Sequence, residues 1–273
     1  MKKILVPTDF SIEAENAIKV AAQLSKKHNC ELILLHVLDL PLSSIGEGVP
    51  TDLPEAVYFM KLAHKQFEDV MSKEYLRDVA VTEMVDFHDI STGILETCKT
   101  HDIDLIVMGS HGASGLKEMF IGSNAEKIVR TSERPVLVIK NEHKNFNIEE
   151  FVFASDFEND NRETFKQAVK LAEAFDAKIH LLMVNTASNF KTTARAKVKI
   201  QEFIAGTTFT NYTTNIYNDE TVEKGILNFS HIINADLIGI STHGRQGIAH
   251  FLNGSLSEDL VNHAKRPVIT FKI

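Results

Sequence analysis

The chain has 273 residues, which is enough for two domains of ordinary size, each able to bury its own core. Hydrophobic residues make up 44% of it and charged residues 24%, as in globular domains. The sequence contains no run of 18 apolar residues, so no membrane-spanning helix is predicted. The net charge of −8 argues against a nucleic-acid surface, which needs clustered lysine and arginine.

The first ten residues, MKKILVPTDF, have only three apolar residues between the two lysines and Pro7, too few for the apolar core of a secretion signal. Cys30 and Cys98 fit neither a metal spacing nor a disulfide framework, so we expect two buried thiols in a reducing compartment. The twelve histidines show no H-x3-H or H-E-x-x-H spacing, and we therefore expect no metal site. These features predict a cytoplasmic protein.

Strand and helix patterns alternate along the chain. Near-continuous apolar runs such as KILVP, ELILLHV, DLIVMG and PVLVIK are typical of strands buried on both faces of a parallel sheet. Between the first two runs, apolar residues at helical spacing predict a helix over 11–27 with Ser11 as its N-cap. The run EAVYFMKLAHKQFEDVMSKEYL predicts a second amphipathic helix.

This alternation predicts an open, doubly wound parallel sheet of five strands. Ligands of such sheets bind beyond the carboxyl ends of the strands, at the point where the strand order reverses. The rule indicates residues 7–11 and 108–123 as the ligand-binding segments.

The pattern occurs twice. Residues 109–140 align with 241–272 without a gap, and 11 of the 32 positions are identical. Upstream, ILVPTDFS and LILLHV match FVFASDFE and IHLLMV at an offset of 147 rather than 132, so the second copy lacks about 15 residues, with 40–54 as the candidate for the missing stretch. We predict an α/β protein of two tandem domains, 1–140 and 148–273, joined by a linker over 141–147.

The stretch GSHGASGLKEMFIGS, residues 109–123, follows a predicted strand and leads into a predicted helix. Gly109 and Gly112 permit positive φ and close approach of a ligand to the backbone, and a helix opening at Gly122-Ser123 would favour an anion. Its counterpart, STHGRQGIAHFLNGS, keeps the spacing but begins with Ser241. Two interpretations stay open, a phosphate cradle or a set of turns and caps, because Ser-x-x-Glu in both copies also matches a capping box.

The glycine pattern resembles the nucleotide motif of the universal stress protein family, G-x2-G-x9-G-[ST], and the resemblance covers both halves of the chain. It implies a Rossmann-like, adenine nucleotide alpha hydrolase-like fold that takes ATP, with or without Mg²⁺. Asp9 would anchor the adenosine side, Val37 would line the adenine pocket, and Asn124 would lie beside the phosphates. The implied nucleotide-binding residues of the first domain are Pro7, Thr8, Asp9, Val37, Met108, Gly109, His111, Gly112, Gly122, Ser123 and Asn124.

The second domain departs from this pattern at Ala154, which replaces Pro7, and at Ser241, which replaces Gly109. We expect the second change to matter if the native φ at that position is positive. The matching residues, a second candidate nucleotide site, are Ser155, Asp156, Val184, Ile240, His243, Gly244, Gly254 and Ser255.

The resemblance implies a stress-response protein that binds ATP, mainly through domain 1, as a regulatory or sensing module. No catalytic residue is predicted, although slow ATP hydrolysis or self-phosphorylation on Ser110, Ser114 or Ser123 stays an alternative because positioning can suffice for phosphoryl transfer. A nucleotide-free interaction scaffold is a further alternative. The closing strands PVLVIK and PVITFKI resemble the dimerising edge strands of the family, which implies an intramolecular pseudo-dimer or a homodimer. The net charge and the lack of a long apolar run predict neither nucleic acid nor membrane as a partner.

Overall fold

The structure is a computed structural model that describes residues 1–38, 53–110, 122–242 and 260–273. The described chain forms two compact units. The first contains 1–38, 53–110, 122–128 and 139–146, and the second contains 129–138 and all described residues from Asn147 onward. Among the described helices, none combines the length and apolar composition that crossing a bilayer requires.

The chain up to residue 140 alternates strand and helix as predicted. Parallel pairing places the strands in the order β3-β2-β1-β4, so the order reverses between β1 and β4. The elements are β1 (Lys3–Pro7), α1 (Ile12–His28), β2 (Glu31–Val37), α2 (Leu53–Met71), β3 (Val81–Asp86), α3 (Ile90–Thr100), β4 (Leu105–Gly109), α4 (Ser123–Thr131) and β5 (Val136–Ile139).

The second unit repeats this topology with its strands in the order β8-β7-β6-β9-β10, all parallel. Val136, Leu137 and Val138 of β5 group with this unit and pair antiparallel with β10. The elements are β6 (Glu150–Ala154), α5 (Arg162–Phe175), β7 (Lys178–Asn185), α6 (Thr193–Ile204), β8 (Tyr212–Asn218), α7 (Val222–Ile232), β9 (Leu237–Thr242) and β10 (Val268–Lys272).

The predicted fold class, two tandem Rossmann-like α/β sheets, is confirmed. The same hydrogen bonds open the first strand of each copy. The Asp104 carboxylate accepts the N–H groups at the start of β1, and the Asp236 carboxylate accepts those at the start of β6. Helix α6 has 12 residues where α2 has 19, so part of the deletion falls in this helix. Most of the predicted missing stretch, 40–54, lies outside the described residues, and the domain bounds 1–140 and 148–273 stay a prediction.

The predicted linker is ordered against α1 of the first unit. The Gln23 amide nitrogen donates to the His143 carbonyl at 2.9 Å, and its oxygen accepts the Phe146 N–H at 2.6 Å. Lys19 pairs with Glu142 at 2.7 Å, and the Phe146 side chain is buried. Residues 141–146 are therefore fixed to unit 1 through side chains of one helix.

Replacing Gln23 with alanine is expected to release this segment. Both hydrogen bonds from Gln23 to the segment are lost, each with a net contribution of about 0.5–1.5 kcal/mol, so their loss should lower the free energy of unfolding by about 1–3 kcal/mol. Faster proteolysis at 141–146 and a lower urea midpoint would show the effect. The control is Gln23→Glu, which keeps the acceptor for Phe146, and equal proteolysis of the alanine variant and the wild type would contradict the prediction.

Candidate functional site

The turn after β1 is held in a strained but well-supported conformation. Phe10 has φ of 62°, which is uncommon for a bulky residue, and its N–H donates to the Thr8 hydroxyl at 3.0 Å. The Thr8 N–H donates to the Leu35 carbonyl at 2.8 Å, and the Thr8 carbonyl lies 2.8 Å from Nδ1 of His36. The Phe10 ring packs against His36, with centroids 4.8 Å apart. These contacts fix Thr8 and Asp9 at the carboxyl end of β1.

Helix α1 begins directly after this turn. Ser11 is its N-cap, as predicted, because the Ser11 hydroxyl accepts the Ala14 N–H at 3.2 Å. The Asp9 carboxylate accepts the N–H and the hydroxyl of Ser11 at 3.1 and 2.6 Å. Asp9 is exposed, so its carboxylate stands at the surface with its rotamer set by the helix cap.

Gly109, at the end of β4, allows strand and helix to approach closely. A Cβ there would lie 2.8 Å from the carbonyl oxygen of Glu13 and 2.9 Å from its carbon, both backbone atoms of α1. Gly109 does not have a positive φ, and neither does Ser241. The sequence left the sign of φ at Gly109 open, and the structure shows that glycine is needed there because a Cβ would have no space beside α1.

The start of α4 supplies backbone donors beside β4. The Gly122 N–H donates to the Ser110 carbonyl at 2.7 Å, and the Gly122 carbonyl accepts the Glu126 N–H, which makes Gly122 the N-cap. Helix α4 begins at Ser123, so Ser123 is not the cap and the predicted capping box does not form, because Gly122 and Ala125 lack the side chains it requires. The N–H groups of Ser123, Asn124 and Ala125 precede the first intrahelical bond, and such groups favour anions.

These segments enclose a pocket of about 320 Å³ at the point where the strand order reverses. Nine of the predicted nucleotide-binding residues line it together: Pro7, Thr8, Asp9, Val37, Met108, Gly109, Gly122, Ser123 and Asn124. His111 and Gly112 lie outside the described residues. The structure thus brings together every predicted residue of the first domain that it describes.

The pocket is also lined by residues that were not predicted to bind nucleotide: Ala14, Leu35, His36, Ile90, Ile94, Ser110 and Ala125. The two isoleucines belong to α3, which approaches β2 at Gly93, where a Cβ would meet Val37 at 3.2 Å. Gly93 has a counterpart in Gly225, where a Cβ would meet Val184, so extending the repeat alignment upstream would have marked this wall.

The start of α3, next to the pocket-lining Ile90, carries both signs of charge. Asp89, the N-cap of α3, accepts the Ser91 hydroxyl at 2.6 Å and the Thr92 N–H, and these bonds hold the pKa of its carboxyl far below its usual range. Lys127 of α4 lies 3.5 Å from the same carboxylate. His88 lies 2.6 Å from Asp86, and this hydrogen bond raises the pKa of the imidazole.

The second unit builds the corresponding turn in the same way. Phe157 has φ of 58°, and its N–H donates to the Ser155 hydroxyl at 2.9 Å. Val184 lies next to the last residue of β7, and Ile240 lies near the end of β9, as the repeat predicts. The other predicted residues of this copy, His243, Gly244, Gly254 and Ser255, lie outside the described part of the chain.

Asp156, the counterpart of Asp9, is partly buried, and desolvation raises the pKa of its carboxyl. A raised folded-state pKa makes a contribution to stability that is present below the unfolded pKa, about 3.9, and is lost as the pH rises through the folded pKa. We therefore expect Asp156→Asn to be more stable relative to the wild type at pH 7 than at pH 3. Urea denaturation at both pH values measures this, and a constant difference between the two proteins would contradict it.

Comparison with known proteins agrees with the fold and the motif. Residues 1–140 and 214–272 match the model of the universal stress protein family. The universal stress protein MJ0577 of Methanocaldococcus jannaschii is 34% identical over 160 residues, covering 51% of this chain and 94% of that protein. The universal stress protein Slr1230 of Synechocystis is 24% identical over 305 aligned positions that cover both chains fully.

A solved structure extends the likeness to the whole chain. The crystal structure of a universal stress protein from Archaeoglobus fulgidus has a TM-score of 0.75 at 20% identity, covering 99% of this chain and 98% of that one. At this identity the likeness shows the fold, and the family model shows the membership, because it matches well over half of the residues. With the glycine motif, the two-copy sheet and this match in hand, the chain belongs to the universal stress protein family.

Proposed function

We propose that the chain binds ATP in the unit 1 pocket and acts as a cytoplasmic stress-response module, in which nucleotide occupancy regulates stability or partner binding. One observation carries the proposal: the nine described residues that the family resemblance implies line a single pocket at the point where the strand order reverses. Ligands of doubly wound sheets bind at this point.

The chemistry of the pocket suits an adenine nucleotide. Its volume, about 320 Å³, lies in the range of small-molecule sites, which is about 300–1,000 Å³. Val37, Met108 and Ile94 offer apolar surface for a base, and the first N–H groups of α4 are suited to phosphate oxygens. Any Mg²⁺ would bind through the phosphates, which is how proteins commonly take this ion.

The alternative function, self-phosphorylation, would need a serine hydroxyl that can reach a γ-phosphate of bound ATP. Ser110 is only 2% exposed, whereas Ser123 is exposed and lines the pocket, and Ser114 lies outside the described residues. Incubation with γ-labelled ATP separates the outcomes, because binding alone leaves the protein unlabelled. Label that disappears in Ser123→Ala would favour an enzyme over a binding module.

The proposal is tested by identifying what the protein carries. Protein purified without added nucleotide is denatured, and the released small molecules are analysed by mass spectrometry and compared with those from an Asp9→Ala variant. We expect an adenine nucleotide from the wild type and a strongly reduced yield from Asp9→Ala. The matched control is Asp156→Ala at the equivalent position of the second unit. Release of equal amounts from wild type and Asp9→Ala would contradict the assignment of the site.

A further inference from the structure

The two units can be compared residue by residue at their candidate sites. Residues 3–37 and 150–184 align without a gap, and the left-handed residues coincide, with φ of 62° and 58° at Phe10 and Phe157, and 51° and 58° at Asn29 and Asp176. Differences at equivalent positions therefore reflect substitutions, and not a shift of register.

The first difference lies in the wall of the pocket. Ala14 lines the pocket of unit 1, and its counterpart is Asn161, which is only 3% exposed. The Asn161 amide nitrogen donates to the Asp156 carboxylate at 2.8 Å, and that carboxylate also accepts the Glu158 N–H at 3.1 Å. The second unit thus places its own amide against the counterpart of Asp9, the residue that would anchor the nucleoside.

The second difference is a matched pair of substitutions. Gly109 and Ala17 of unit 1 correspond to Ser241 and Thr164, whose hydroxyl oxygens lie 2.7 Å apart and are buried. The backbone beside them also differs, because a 3-10 turn over Asn159–Asn161 precedes α5, whereas α1 is already helical over the equivalent residues. Buried polar groups are stable when they are hydrogen-bonded to each other, so we expect the Ser241 and Thr164 side chains to keep these positions.

From these contacts we infer that the second unit has exchanged its nucleotide site for an internal polar network, so that the chain binds one nucleotide and not two. The inference rests on the proposed function of unit 1. Asn161 is the residue that closes the site, since it occupies the wall position with a buried amide and engages Asp156, while Ser241 and Thr164 fix the helix beside it.

The test is the stoichiometry of ATP binding to the full-length chain, measured by calorimetry, together with transfer of the closing residue to unit 1. We expect one site per chain in the wild type, and none in Ala14→Asn with its thermal unfolding retained. Ile12→Asn, which introduces the same residue at an exposed position of the same helical turn, should keep one site. Asp156→Ala should also keep one site.

Each result bears on a separate claim. Two sites in the wild type, or a site lost in Asp156→Ala, would overturn the inference while the proposed function stands. Binding retained in a folded Ala14→Asn variant would overturn the role of the position 14 side chain. No binding by the wild type at millimolar ATP would overturn the proposed function and the inference together.

Discussion

Replacing Gly109 with valine is expected to abolish ATP binding and to lower the free energy of unfolding by about 1–3 kcal/mol, the usual cost of overpacking a well-packed contact. The added Cβ would lie 2.8 Å from a backbone oxygen of α1, at Glu13, and a helix backbone cannot move aside as a flexible side chain can. The first turn of α1 would have to shift. Because that turn carries Ser11 and Ala14, the shift would displace the pocket wall.

The matched control uses the equivalent position of the second unit. Ser241→Ala adds no atom and removes one hydrogen bond, so we expect a loss of about 0.5–1.5 kcal/mol and unchanged ATP binding. Urea denaturation and an ATP titration measure both effects. A Gly109→Val protein with wild-type stability and wild-type affinity would show that the close approach of β4 and α1 is unimportant.

Replacing Gly239 with valine is expected to give a larger loss of stability, about 3 kcal/mol, because overpacking here strikes rigid aromatic rings at the centre of a sheet. A Cβ at Gly239 would lie 2.6 Å from Cε2 of Phe151 and 3.3 Å from Cε2 of Phe271, and both rings are fully buried. The first unit has the opposite arrangement, with Val107 at the position of Gly239 and Ile4 at that of Phe151.

The large and small residues at these two positions can be exchanged together, so that the second unit takes the arrangement of the first. Phe151→Ile should restore part of the stability that Gly239→Val removes, giving a coupling energy of about 0.5–3 kcal/mol, as residues in contact show. The two single variants and the double variant, compared by urea denaturation, form the cycle. Additive losses of stability would mean that Gly239 is not required to make room for the Phe151 ring.

Much of the fold follows from the sequence because its signals are local. Buried strands give continuous apolar runs, the repeat offset identifies the two copies, and Ser11 marks the start of α1. The grouping of Val136–Val138 with the second unit could not be read in this way. It depends on pairing with β10, which lies about 130 residues away along the chain, and an apolar strand does not encode its neighbour.

For the candidate site, too, the features with local sequence signals could be predicted and those that depend on tertiary contacts could not. The strand-end rule indicated the segments 7–11 and 108–123, and the family resemblance carried by the glycine spacing implied the nine residues that line one pocket. The sequence left the backbone angle at Gly109 open, and the close approach between β4 and α1 that excludes a Cβ there is a tertiary property that no local pattern encodes. The hydrogen bond between Asn161 and Asp156 was not predicted, because it is also a tertiary contact. The repeat does show that a polar residue, Asn161, aligns with Ala14.

The central claim, ATP binding in the unit 1 pocket, is tested most directly by calorimetric titration of ATP into the wild-type chain and into Gly109→Val. We expect a saturable heat for the wild type and no measurable binding for the variant, with Ser241→Ala indistinguishable from the wild type. A titration without heat at millimolar ATP, or equal binding by the wild type and Gly109→Val, would contradict it.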